Sequence, residues 1–143
     1  MELNALEREV LSLLLAGDDP VLDLLRAQSA AATITSRKMT GVGFFTNFVV
    51  PEFAERTAPQ NFVIHDVFGT FTGLDTDAGF LLFVRNGTLS CLEGFTYGEE
   101  GWPSEQHLIE AYYMHHAPPD SPMLRRCQDR DTEQLRASWS GKP

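Results

Sequence analysis

Residues 79–103 read GFLLFVRNGTLSCLEGFTYGEEGWP, and this stretch decides the fold class. Asn86-Gly87 is the strongest local signal in the chain. Both central positions of a type I′ turn need positive φ, which asparagine tolerates and glycine adopts freely. The apolar run FLLFV at 80–84 precedes the turn and TLSCLEG comes after it, so the stretch reads as a β-hairpin. An uninterrupted two-residue hairpin puts Arg85 opposite Thr88, Val84 opposite Leu89, Leu82 opposite Cys91 and Phe80 opposite Glu93. Phe80, Leu82, Val84, Leu89, Cys91 and Glu93 then share one face, with Glu93 its one charge. A charge that faces a core costs free energy unless it is paired or at the rim. After the hairpin, Phe95, Tyr97 and Trp102 alternate with glycines and with Glu99 and Glu100 in an acidic, aromatic loop.

Working towards the N-terminus, residues 61–74 alternate as a half-buried strand, and GVGFFTNFVV at 41–50 reads as a strand that ends at Pro51. Residues 33–35 look extended. Before them the period is helical. Leu3, Leu6, Val10, Leu13 and Leu14 line one face of a helix over 2–15, with Gly17 as its stop. Asp19-Pro20 supplies an N-cap and a proline at the first helical position of a second helix, which runs to about residue 30. The short link makes the two an αα-hairpin. Towards the C-terminus, Tyr112 and Tyr113 make residues 107–114 a final strand, although Leu108, Ala111 and Met114 also suit a helix. The expected fold is α+β: an N-terminal αα-hairpin packed on a mostly antiparallel sheet of four or five strands. Residues 1–117 form the single domain. Residues 118–143, polar and proline-containing, read as a loosely attached or partly disordered tail, with a short helix possible at 132–139.

The chain has 143 residues and a formal charge of −9. The acidity is concentrated in residues 39–117, which hold ten acids against two bases, Arg56 and Arg85. Such a surface repels phosphate backbones and attracts basic proteins, so a basic protein partner is expected and nucleic acid is not. No run of about 18 apolar residues exists to cross a membrane as a helix. Cys91 and Cys127 are too few for a disulfide scaffold, and the opening MELNALEREV lacks a basic signal-peptide region. Both point to the reducing cytoplasm.

The stretch LEREVLSLLLAG at 6–17 is similar to the opening helix of LuxR-type helix-turn-helix domains. The resemblance stops at Gly17. The second helix, PVLDLLRAQ at 20–28, offers one arginine and one aspartate where a recognition helix needs groups aimed at bases and phosphates. An amphipathic packing helix accounts for the residues.

The histidines are His65, His107, His115 and His116; neither HExxH nor CxxC occurs, so no metal and no cofactor is expected. There is no GxSxG nucleophile elbow, and Gly41-Val42-Gly43 lacks the rest of a dinucleotide fingerprint. The candidate binding residues are therefore Glu93, Tyr97, Glu99, Glu100 and Trp102. Aromatics give contact area at low entropy cost, and the carboxylates select a cation. The expected function is non-enzymatic docking of a basic protein, with an immunity- or antitoxin-like inhibitor as an analogy of size and charge alone. Two alternatives stay open. One is a small-molecule pocket or a weakly signalled enzyme that uses His65, Asp66 and Glu93 between helices and sheet. The other is a homodimer formed through a sheet edge.

Overall fold

The sheet is wholly antiparallel and has seven strands among the described residues, in the order β1-β2-β5-β4-β3-β6-β7. The computed structural model describes residues 1–97, 101–103 and 107–139. The chain forms α1 (Ala5–Leu14), α2 (Pro20–Ala31), β1 (Thr33–Met39), β2 (Gly43–Val49) and β3 (Phe62–Phe71). It continues through β4 (Ala78–Arg85), β5 (Thr88–Thr96), β6 (Leu108–His116), β7 (Leu124–Cys127) and α3 (Thr132–Trp139). The α+β class is as the sequence implies. The sheet is wider than four or five strands for two reasons. The extended piece at 33–35 grows into the full edge strand β1, and the segment expected as a tail supplies β7 at the other edge.

The helices begin where local chemistry says they should. Asn4 and Glu7 form a reciprocal capping box on α1, each backbone N–H donating to the other's side chain at 2.8 Å. Asp19 caps α2 by accepting from the Val21 and Leu22 N–H groups, with Pro20 at the first position. The pair does not organise as the expected αα-hairpin. Each helix docks separately on the sheet, α1 and α3 on β3 and α2 on β5, because each carries its own apolar stripe. α2 buries Leu22, Leu25 and Gln28 against the sheet and so is a packing helix.

The turn at 86–87 has φ of 54° at Asn86 and 77° at Gly87, as a type I′ turn demands. A Cβ on Gly87 would lie 2.7 Å from the Arg56 side chain, so position as well as dihedral requires glycine. Gln28 clamps this end of the hairpin. Its amide donates to the Gly87 and Glu55 carbonyls and its oxygen accepts from the Leu89 N–H.

The hairpin register departs from the uninterrupted pairing. Arg85–Thr88 and Val84–Leu89 are as expected, but Phe83 then pairs with Cys91, Leu82 with Leu92 and Leu81 with Glu93. Ser90 is an extra residue, a bulge that reverses the facing of everything after it. Without it, Leu92 would point away from the core and Glu93 into it. With it, Leu92 is fully buried and Glu93 leaves the core face. Burying a leucine while releasing a carboxylate favours the bulged register on both counts.

The core lies on the helix side. Phe62, Ile64, Val67, Phe80, Leu82, Val84, Leu89 and Leu92 pack there against Leu6, Val10 and Leu14 of α1, Leu22 and Leu25 of α2, and Leu135 and Trp139 of α3. As far as residue 139, the expected loose tail belongs to this core. The Trp139 ring sits 4.9 Å from Phe62, and Leu135 is buried.

Candidate functional site

All three helices cover the same face of the sheet, and the other face carries no helix among the described residues. Strand alternation lines that open face with Phe45, Leu81, Phe83, Glu93 and Phe95, all half-buried, together with Phe68 and Tyr97. The rings run in a row across β5, β3 and β6. Phe95 meets Tyr97 edge-on at 5.3 Å, Tyr97 stacks on Phe68 at 6.4 Å, and Phe68 stacks on Tyr112 at 6.3 Å. Phe95 crosses the sheet over Gly79, where a Cβ would come within 2.5 Å of the ring.

Two arginines of the chain are seated on this face. Arg126 lies over the Tyr112 ring at 4.3 Å and pairs with Asp77 at 2.7 Å, and Asp77 also accepts from the Tyr112 hydroxyl. Burial, and then this bond to Asp77, push the Tyr112 hydroxyl well above its ordinary value. Arg85 lies over the Phe83 ring at 4.9 Å and donates to Ser90.

Glu93 lies on β5, one strand beyond Arg85 as the sheet runs from β7 through β4. Phe45 of β2 and Leu81 of β4 are its direct cross-strand neighbours, and Cys91 and Phe95 flank it along β5. Among the described residues its carboxylate has no hydrogen-bond or ion-pair partner. Burial is the one influence on its pKa, which it raises above the ordinary glutamate value. A desolvated, unpaired carboxylate in an apolar ring of neighbours is a standing free-energy cost that a cation would relieve.

Glu93 and Tyr97, of the residues singled out from sequence, meet on this face, and Tyr97 is 45% exposed. Trp102 does not join them. It turns to the core side, edge-on to Phe44 at 5.4 Å, Phe71 at 5.2 Å and Phe80 at 6.4 Å, where it plugs the end of the core. It is partly buried among these rings, away from Glu93 and Tyr97. Glu99 and Glu100 lie outside the described residues.

The alternative trio is divided. Asp66 is buried on the helix side, brought there by a second bulge that sets His65 and Asp66 against the one residue Leu81. Arg130 grips it with two bonds of 2.8 and 2.6 Å and donates as well to the Leu14 and Ala16 carbonyls at the end of α1. His115 Nε2 is 3.3 Å from the same carboxylate and accepts from the Asp131 N–H. Burial alone would raise the Asp66 pKa, but the bonds from Arg130, with His115 beside the carboxylate, outweigh it and hold the group below the ordinary aspartate value. His65 and Asp66 line a cleft of about 230 Å³ with His115, His116, Gln134 and Ser138. Glu93 lies two strands away on the opposite face and takes no part. No group of three or more His, Cys, Asp or Glu is arranged to hold a metal among the described residues.

Sequence reading missed Phe45, Phe68, Tyr112, Asp77 and Arg126. The spacing of Glu93, Phe95 and Tyr97 at every second residue was a signal for half of the row. The rest depends on the pairing of β2 with β5 and of β3 with β6, which no local pattern encodes. The chain matches no family model, and comparison with curated proteins and with solved structures returns no significant match. No helix among the described residues is long and apolar enough to cross a membrane.

Proposed function

We propose that this protein is a binding module that docks a basic protein on the helix-free face of its sheet. The observation that carries this reading is Glu93, half-buried amid Phe45, Leu81 and Phe95 and without a partner among the described residues, on a surface that nothing in the described chain covers. Rings of low conformational entropy surrounding one desolvated charge are the composition of an interface hot spot. The net charge of −9 would steer a basic partner to it. A cytoplasmic inhibitor of the immunity or antitoxin kind suits this chemistry. An enzyme suits it less, because the buried carboxylates Glu7, Asp19 and Asp66 are all bonded to arginines.

A homodimer through a sheet edge has weaker support. β1 carries Arg37, Lys38 and a bulge after Ile34, and β7 has four residues with Arg125 and Arg126 exposed. Charge, irregularity and shortness are devices that discourage edge pairing. The cleft beside His65 and His116 keeps small-molecule binding as a second reading.

The test is photo-crosslinking in cells with a benzophenone side chain placed at Leu81 or, as a control on the helix side, at exposed Ser12. A basic protein captured from position 81, absent from position 12 and lost when Glu93→Lys is added supports docking on this face. Capture that ignores Glu93→Lys, or no capture from position 81, overturns it.

A further inference from the structure

We infer, building on the docking reading above, that the partner's anchor is an arginine whose guanidinium pairs with Glu93 and stacks on the neighbouring phenylalanine rings. The face already holds one arginine in this manner and a second on a ring alone. Arg126 joins an aromatic ring and a carboxylate at one end, lying over Tyr112 while paired with Asp77. Arg85 lies over Phe83 on β4. Glu93, on β5 next to the strand that carries Arg85, offers the combination seen at Arg126, a carboxylate beside rings, with Phe45 directly across the strand and Phe95 two residues along. Unlike Asp77, it is a carboxylate of this face to which the described chain brings no guanidinium.

The chemistry distinguishes arginine from lysine. A guanidinium is planar, weakly hydrated and able to stack while its edge donates to a carboxylate. An ammonium is a compact, strongly hydrated point charge, which loses more on entering an apolar ring of neighbours and matches no flat surface. Leu81, Phe45 and Phe95 restrict water around half-buried Glu93, so part of this hydration difference is felt there. The guanidinium would also reverse the effect of burial on Glu93, since a nearby cation favours the ionised carboxyl.

N-acetyl-arginine methylamide and N-acetyl-lysine methylamide, titrated separately into isotope-labelled protein, test this by NMR. The arginine compound is expected to shift the amides of Phe45, Leu81 and Glu93 and to bind at least about fivefold more tightly than the lysine compound. It should also lower the titration midpoint of the Glu93 carboxyl carbon. Glu93→Gln should abolish the preference while leaving the remaining amide spectrum in place. Equal affinities would overturn the arginine anchor and leave docking intact. Silence of these amides towards both compounds, with Glu93-dependent crosslinking from position 81, would likewise remove the anchor alone. Silence together with no crosslinking would remove both.

Discussion

One face of the sheet lies beneath three helices and the other meets its surroundings across an aromatic row, and the two treat carboxylates in opposite ways. On the covered face every buried acid among the described residues is bonded. Glu7 accepts from Arg37 at 2.7 Å and from Thr46 at 2.5 Å, Asp66 from Arg130, and Asp19 from Arg136 at 2.6 Å. On the open face Asp77 is bonded, yet Glu93 is not. Partnered acids join segments distant in sequence, so they explain themselves as fastenings. An acid that loses part of its water and gains no partner among the described residues has no such account there, and that difference directs attention to an external partner.

The largest test of this contrast is Arg130→Ala. It strands a buried aspartate and frees the end of α1, and should lower stability by about 3–5 kcal/mol in urea unfolding. A loss below about 1 kcal/mol, the range of exposed pairs, would break the division between fastened and open faces. Next in size is a pair of neighbours on β4. Leu82→Ala should cost about 2–5 kcal/mol because the side chain is wholly enclosed. Leu81→Ala, one residue away on the open face, should cost under about 1 kcal/mol. Equal losses in thermal or urea unfolding would mean that the open face is as much a core as the other.

The smallest effect is one of sign with pH. Burial acts to raise the pKa of Glu7 and of Asp66, but their bonds to Arg37 and Arg130 prevail, so both hold protons less tightly folded than unfolded. Their stabilisation is complete above the ordinary carboxylate values and is lost as pH falls through the lowered folded values. Glu93 does the reverse. Its folded carboxyl holds the proton more tightly, so stability declines as pH rises from the ordinary glutamate value of 4.5 towards the raised one. The wild type should therefore lose ground to Glu93→Gln as unfolding is measured from about pH 4 to pH 7. A difference that stays flat or grows in favour of the wild type would show that Glu93 is already satisfied.

Much of the fold was legible because the signals are local. The turn needed two residues that accept positive φ, and Asn86-Gly87 supplied them. Asp19-Pro20 announced α2, and Tyr112-Tyr113 marked β6 as a strand. The segment after residue 117 was misleading because its anchors are few. Leu135 and Trp139 carry its apolar contact, and Arg130, which reads as a surface charge, is its buried fastening. The candidate site was half legible. Composition points to Glu93 and Tyr97, but not to the turn of Trp102 to the core side, because a loop aromatic gives no sign of which side it will close over.

The sequence by itself determined the element types, the tight turn and the abundance of aromatics and acids, since dihedral preference, capping and period act over a few residues. Only the tertiary structure decided which side of the sheet each residue occupies. The strand period is two, so the single extra residue at Ser90 exchanges the positions of Leu92 and Glu93. The choice between registers rests on the whole core, which gains a leucine and sheds a charge, and no stretch of chain contains that comparison.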